Sequence, residues 1–338
     1  MTPGRVTMSD IADVAGVSVA SVSNALKDRP GVSDDLRRRI VAIASGMGFR
    51  PNVLASELRT GLSTYLGLLL VEVSNPFYGD LASGVIDAAA DAGMSVIVSQ
   101  VGASAEKVEE VALSHVDRRV RGLLFTSLLT HDGATLQTLQ RIGTPFVQLV
   151  RFVPSFEADW VGIDDFAAAV DLGTHVAATG RRRVALVVGQ EASTAAWNRA
   201  SGLRSGLVGG GATVVNEGGD HFWGLPTRRS GYERGMALLS ERESVEAILC
   251  GNDALASGVI DACLELGLRV PEDVAISGFD DMSYAHVGSF QLTTVRVPSA
   301  EIGRIGTQFL LERTDGYSGP VRRSMQPYEI CLRSTTAT

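Results

Sequence analysis

The run Ser18-Val19-Ala20-Ser21-Val22-Ser23-Asn24 sets three hydroxyls and one carboxamide within seven residues, and its chemistry is hydrogen bonding rather than bond breaking. A serine hydroxyl donates and accepts. An asparagine amide offers a donor beside an acceptor, the pairing that fits the adenine edge in the major groove. Catalytic equipment is thin by comparison. His115, His131, His175, His221 and His286 show no metal-ligand spacing, and no serine stands in a nucleophile-elbow context. The glycine-rich GLVGGGA at 206–212 lacks the Gly-Lys-Ser/Thr ending of a phosphate loop and precedes a short strand, so it reads as a helix end and turn. Cys250, Cys263 and Cys331 are odd in number and far apart, as expected of buried thiols in a reducing compartment. The expectation is a non-enzyme that needs no cofactor and no metal.

Short helices must hold the hydroxyl-rich run. Ser9 reads as the cap of a helix over 10–15, with Asp10 in its first turn. Gly16 supplies a tight turn, and Ser18 caps a second helix over 19–27. Val22 and Leu26 fall on one face of that helix, with Ile11, Val14 and Val17 available to pack against them, while Ala20, Ser21 and Asn24 share the other face. Ser33, followed by Asp34 and Asp35, opens a third helix whose Leu36, Ile40, Ile43 and Ala44 recur at helical spacing and which Gly46 and Gly48 end. Arg37, Arg38 and Arg39 fall on its solvent side. Two short helices joined by a glycine turn, each with one apolar face, make a helix-turn-helix.

Charge is distributed to match. The chain of 338 residues carries a net charge of −8, yet residues 1–62 hold eight basic against six acidic residues. A mildly basic head on an acidic body suits nucleic-acid contact through the head alone. The length allows two or three compact units, and 45% hydrophobic residues with 20% charged is ordinary for core-forming protein. No signal segment opens the chain and no apolar run has membrane-spanning length, so a soluble cytoplasmic protein without membrane association is expected.

Beyond residue 62, strand-like runs alternate with amphipathic helices. YLGLLLV (65–71), SVIVS (95–99), GLLFT (122–126) and PFVQLV (145–150) form one series; RVALVV (183–188), EAILC (246–250) and VAISGF (274–279) form another. Such alternation predicts parallel sheets covered on both faces. A late helix over 299–313 returns to the first sheet and 326–331 adds a strand to the second. In sheets of this kind ligands bind beyond the strand ends. Ser74-Asn75-Pro76-Phe77-Tyr78, Asn252-Asp253 and Asp280-Asp281 all occupy such positions, where helix caps, turn formers and ligand contacts are alternative readings.

The run DVAGVSVASVSNAL, followed in order by VSDDLRRRI, GFRPN and LRTG, closely resembles the lactose-repressor (LacI/GalR) family, and the likeness extends along essentially the whole chain. The resemblance implies an all-α helix-turn-helix head (residues 1–50), a hinge helix or linker (51–62) and an α/β effector-binding and dimerisation domain (63–338). That domain is of the two-lobed periplasmic-binding-protein-like type, with doubly wound parallel sheets. Its first lobe takes about 63–161 and 292–323, its second about 162–291 and 324–338. Val19, Ala20 and Asn24 match base-reading positions, and Thr7, Ser18, Ser21, Ser23 and Ser33 match phosphate contacts. In the hinge, Leu58 matches an apolar wedge inserted between base steps, Asn52 and Ala55 lie on the same segment, and Arg59 can meet phosphate. Arg199 and Asp280 match effector-binding positions, and Asn75, Phe77, Tyr78 and Asn252 match the pocket wall.

Two departures stand out. Many members carry Arg where this chain has Asn24, which implies a different half-site. Many also carry Asp-Arg at the end of the fourth strand, where this chain has Val150-Arg151, with Arg151 retained as an effector contact. The loop HFWGLPTRR is longer than usual, so Phe222 or Trp223 supplies a stacking aromatic. The expected function is a transcriptional repressor binding double-stranded, pseudo-palindromic operator DNA as a homodimer or tetramer, its affinity set by a small-molecule effector of sugar type in the inter-lobe cleft. The alternative is a cytoplasmic sugar-binding protein without operator function.

Overall fold

A computed structural model describes residues 6–49, 63–102, 104–240, 245–286 and 291–337. Contacts divide the chain between residues 62 and 63 into two compact units.

In the first unit, α1 (Met8–Ala15), α2 (Val19–Leu26) and α3 (Asp34–Gly46) follow one another with short turns. Thr7, not Ser9, caps α1. Its side chain accepts from the Asp10 backbone N–H while Asp10 reaches back to the Thr7 N–H at 2.7 Å, a reciprocal box that starts the helix two residues earlier than expected. Gly16 then takes the left-handed conformation (φ 67°) that a residue with a Cβ resists. Ser18 and Ser33 cap α2 and α3 as expected. Ile11, Val22 and Ile40 are fully buried with small alanines between them, whereas Val14, expected in this core, is 58% exposed. The arginines of α3 do more than face solvent. Arg37 pairs with Asp28 at 2.6 Å and donates to the Arg29 carbonyl at 2.9 Å, and Arg39 donates to the Ala15 carbonyl at 3.2 Å. These contacts tie α3 to the segment that follows α2 and to the end of α1.

The second unit holds two parallel sheets. The first runs through β1 (Tyr65–Leu70), β2 (Ser95–Gln100), β3 (Leu123–Phe125), β4 (Phe146–Leu149), β5 (Trp160–Gly162) and β11 (Arg323–Met325), in the order β11-β5-β4-β3-β1-β2. The second comprises β6 (Arg183–Val187), β7 (Thr213–Val214), β8 (Ala247–Cys250) and β9 (Ala275–Ser277), in the order β7-β6-β8-β9. Leu66, Leu68, Leu69 and Leu70 of β1 are all buried, the continuous apolar pattern of a strand covered on both faces. A short antiparallel pair, β10 (Thr294–Arg296) with β12 (Glu329–Cys331), lies beside the second sheet through bridges from Ser277 to Thr293 and from Asp280 to Arg296. Residues 294–296, expected in the first lobe, therefore belong with the second, because their backbone hydrogen bonds are made there. Among the described residues no helix is long and apolar enough to cross a membrane.

Pairs of helices cover the sheets at very short range. α4 (Pro76–Asp91) packs on α11 (Ser299–Thr314), α7 (Asp165–Ala178) on α8 (Thr194–Gly209), and α9 (Arg228–Ser240) on α10 (Asp253–Glu265). Each contact is made backbone to backbone at a glycine. A Cβ on Gly84 would stand 1.9 Å from the Ala300 carbonyl oxygen, one on Gly206 2.3 Å from that of Val170, and one on Gly258 1.9 Å from that of Arg228. We expect Gly84→Ala to lower stability by about 1–3 kcal/mol through overpacking. Denaturant unfolding of the full chain measures it, and an unchanged midpoint would refute the close-packing argument.

Candidate functional site

Two places gather the residues singled out in the sequence. The first is the outward face of α2. Ser18, Val19 and Ala20 are exposed at its start, with Val19 46% exposed despite its apolar side chain, while Ser21, Ser23 and Asn24 are half-buried along the same helix. Val22 and Ala25, on the other side, are buried in the head core. Ser18 accepts from the Ser21 backbone N–H at 3.1 Å, and the two hydroxyls lie 2.9 Å apart. Thr7, Ser18 and Ser33 thus serve first as helix caps. That role sets hydroxyls at three helix N-termini, the ends whose unpaired N–H groups attract anions. Asn52, Ala55, Leu58 and Arg59 lie outside the described residues.

The second place is a cleft between the two lobes of the larger unit. A cavity of about 50 Å³ is lined by Asn75, Phe77, Tyr78, Arg151, Arg199, Asn252 and Asp280, so seven of the nine expected effector residues come together there. Asn75 caps α4 through the Phe77 N–H at 3.0 Å, which turns Phe77 and Tyr78 inward, their rings edge to face at 5.2 Å. Asn252 caps α10 through the Leu255 N–H at 2.8 Å and donates to the Pro226 carbonyl at 3.1 Å.

Arg199 is the hub of the cleft. Its Nε donates to Asp165 at 2.7 Å, its Nη1 to Asp280 at 2.9 Å and to the Gly251 carbonyl at 2.8 Å, and its guanidinium lies 3.8 Å from the centre of the Phe279 ring. All three charged groups are buried. Burial pushes the Asp280 carboxyl up to about 6 and raises that of Asp165, with Arg199 pulling both back, because two acids share one cation. Arg199 itself is pushed upward by the two acids against the opposing effect of burial and stays charged. The helix carrying it starts at Thr194 under a Ser193 cap, so Arg199 sits in the second turn rather than at the opening of the helix.

The backbone is strained at both walls. Val150 has φ 65°, Asp280 109° and Asp281 55°. A β-branched residue in the left-handed region is an outlier that surrounding structure must enforce. Val150 is held by its N–H to Val161 at 2.8 Å and by the Trp160 indole donating to its carbonyl at 3.3 Å. Asp253 and Asp281 prove to be scaffold. Asp253, fully buried and raised well above the ordinary carboxyl range by desolvation, accepts from the Thr294 hydroxyl at 2.6 Å and the Met282 N–H at 2.7 Å. Asp281 pairs with Arg296 at 2.8 Å and Arg333 at 2.7 Å.

Phe222 and Trp223 do not line the cleft. Phe222 is buried, and Trp223 stacks on Trp197 with ring centres 5.7 Å apart, in a separate depression with Glu191, Arg204 and Glu217. The cause is Arg234, whose Nη1 donates to the Val188 and Phe222 carbonyls at 2.9 and 3.0 Å and holds the loop against its own lobe. Sequence reasoning missed Asp165, Gln190 and Ser193. Asp165 follows β5, a strand of three residues too short to register in the pattern, although Asp164-Asp165 after an apolar run was a readable signal. Hydrogen bonds across the mouth join the lobes. Thr194 exchanges two with the Phe152 backbone, at 3.1 and 3.2 Å, and the Thr130 N–H meets the Ala192 carbonyl at 2.9 Å.

Comparison with known proteins places both sites in context. Residues 7–52 match the lacI family of bacterial regulatory proteins, and residues 174–336 match the periplasmic binding protein-like domain. The HTH-type transcriptional regulator MalR of Streptomyces coelicolor is 30% identical, over 98% of this chain and 96% of that protein. The regulator DegA of Bacillus subtilis is 27% identical over 98% of each, and the ribose operon repressor of Escherichia coli 28% over 91% and 92%. Among solved structures, the lac repressor dimer bound to operator and the anti-inducer ONPF shares the fold, with a TM-score of 0.87 at 24% identity over 99% of this chain and all of that one. The CelR–cellobiose complex gives a TM-score of 0.74 at 25% identity, over 98% and 100%.

Removing the hub leaves two buried carboxyls without their cation. Arg199→Met is expected to cost about 3–5 kcal/mol in urea unfolding, the range for breaking one side of a buried ion pair. A loss below about 1 kcal/mol would show that the triad does not hold the cleft.

Proposed function

The chain belongs to the lacI family of bacterial regulatory proteins, and from that premise we propose that its DNA-binding activity is set by a sugar-type effector held in the Arg199 cleft. That it is an HTH-type transcriptional regulator follows from the family itself. The single observation that carries the proposal is the convergence of a buried arginine, the buried carboxyl of Asp280 and two edge-to-face aromatics on one cavity between the lobes, with Asp165 holding the arginine from behind. Acids that share a cation and aromatic faces beside them are the groups that hold hydroxylated rings. Cellobiose occupies the CelR structure, which supports a carbohydrate here.

Val19, Ala20 and Asn24 are assigned to base reading, and Thr7, Ser18, Ser21, Ser23 and Ser33 to phosphate positioning. The proposed partner is a pseudo-palindromic operator bound by a dimer, as in the lac repressor–operator structure. Lined from both lobes, the cavity lets a bound effector bias the equilibrium between their arrangements. Coupling to operator affinity is of the usual order, about 1–3 kcal/mol. We assign no turnover to the site and a cytoplasmic setting to the protein.

A gel-shift series on DNA upstream of the gene tests the assignment. A specific complex is expected whose affinity falls with salt. Asn24→Arg is expected to move the base preference at one position of each half-site from adenine toward guanine, by about 1–3 kcal/mol, whereas Ser18→Ala weakens all sequences alike. An unchanged preference in the Asn24 variant would remove its reading role, and absence of any specific complex would remove the operator function. Recovering a bound sugar chemically altered would overturn the assignment of no turnover.

A further inference from the structure

Arg151 enters the cleft from the first lobe with most of its hydrogen-bonding capacity unspent. It is 7% exposed, its Nη1 is buried without a partner among the described residues, and its Nη2 reaches only the Tyr78 hydroxyl at 3.4 Å. From the second lobe, the carboxamide oxygen of Gln190 is likewise buried with no donor, and both residues line the same cavity. Buried polar atoms without partners are rare in folded proteins, and each asks what satisfies it. Here a donor in one lobe and an acceptor in the other are left open across a single cavity. A molecule that accepts from Arg151 and donates to Gln190 would satisfy both and hold the lobes together.

The neighbouring charges narrow that molecule further. Arg199 gives its Nε and Nη1 to Asp165, Asp280 and Gly251, so two acids already offset its one positive charge. Glu72 also lines the cavity and accepts from the Ser74 hydroxyl at 2.7 Å. A doubly charged phosphate would face two acids with one unspent guanidinium to balance it. A carboxylate is planar, carries a single charge and matches one guanidinium fork with two parallel hydrogen bonds. Val150, which precedes Arg151 and also lines the cavity, is apolar and brings no internal acid to this wall. The left-handed turn at Val150 (φ 65°) leads directly into the arginine.

We propose that the effector is a sugar acid, whose carboxylate seats on Arg151 and one of whose hydroxyls donates to Gln190. The inference rests on the cleft being the effector site. The test is calorimetric titration of the full-length chain with glucose, galactose, gluconate, glucuronate, galacturonate and glucose 6-phosphate, run beside the gel shift. At least one carboxylate is expected to bind at least about ten-fold more tightly than the matching neutral sugar, as a charge-assisted hydrogen bond allows. Arg151→Met should weaken that acid by about 10–100-fold. Val150→Asp keeps the arginine but supplies it with an internal partner, and should weaken the acid in the same direction. This variant keeps the test decisive if Arg151→Met fails to fold. Gln190→Met should also weaken the acid, with less effect on its preference over the neutral sugar. Neutral sugars binding as well as acids, glucose 6-phosphate binding more tightly than any carboxylate, or no carboxylate binding at all would overturn the proposal. If no carboxylate binds while the gel shift succeeds, only this inference fails. If a carboxylate binds while the gel shift fails, the operator function is lost and the ligand class stands.

Discussion

The cleft depends on one costly arrangement, a guanidinium and two carboxyls buried together. Each ion taken out of water costs several kcal/mol, and the attraction repays this only where geometry is good and remaining donors are met. Arg199 meets those terms with two acids, a backbone carbonyl and an aromatic face. Because its partners come from the start of α7, the end of β8 and the loop after β9, the triad sets the positions of three segments that are far apart in sequence. Burial raises both carboxyls, and the shared cation holds them down against it.

Backbone strain is concentrated around this triad. Val150, Asp280 and Asp281 all hold positive φ, at the two walls that face each other. Aspartate tolerates that region better than most residues, since its short polar side chain can bond locally, but valine does not. The strain at Val150 persists because β5 and the Trp160 indole hold its backbone from behind. Its effect is to turn the chain so that Arg151 faces the cavity instead of continuing along β4. Strain of this kind collects at binding sites, where an improbable conformation is what aims a side chain.

The head follows simpler rules. Three short helices, none of them stable alone in water, are held by a small core and by caps. Three of the five hydroxyls that match phosphate contacts, Thr7, Ser18 and Ser33, also cap the helices, so one side chain both starts a helix and marks its positive end. Apolar Val19 and Ala20 lie exposed beside these caps because the buried face of α2 is already filled by Val22 and Ala25.

Periodicity in the sequence was enough to identify the three head helices and the alternating strands, while the cleft wall was assigned through the family resemblance. Helical and strand spacing are local properties, written in neighbouring side chains. Caps such as Ser18, Asn75 and Asn252 were legible for the same reason, and the resemblance carried Arg199 and Asp280 to their places. What sequence reading missed depended on distant contacts. Thr7 outcompeted Ser9 as a cap through a reciprocal bond with Asp10. Residues 294–296 joined the second lobe through bridges to β9. Phe222 and Trp223 were drawn away from the cleft by a buried arginine in the same lobe. Asp165 joined the site through Arg199, 34 residues away, and Gln190 through a cavity that both lobes line. Whether a polar side chain is satisfied depends on which groups surround it in space, and that is why the open valences of Arg151 and Gln190 were decided by the tertiary structure alone.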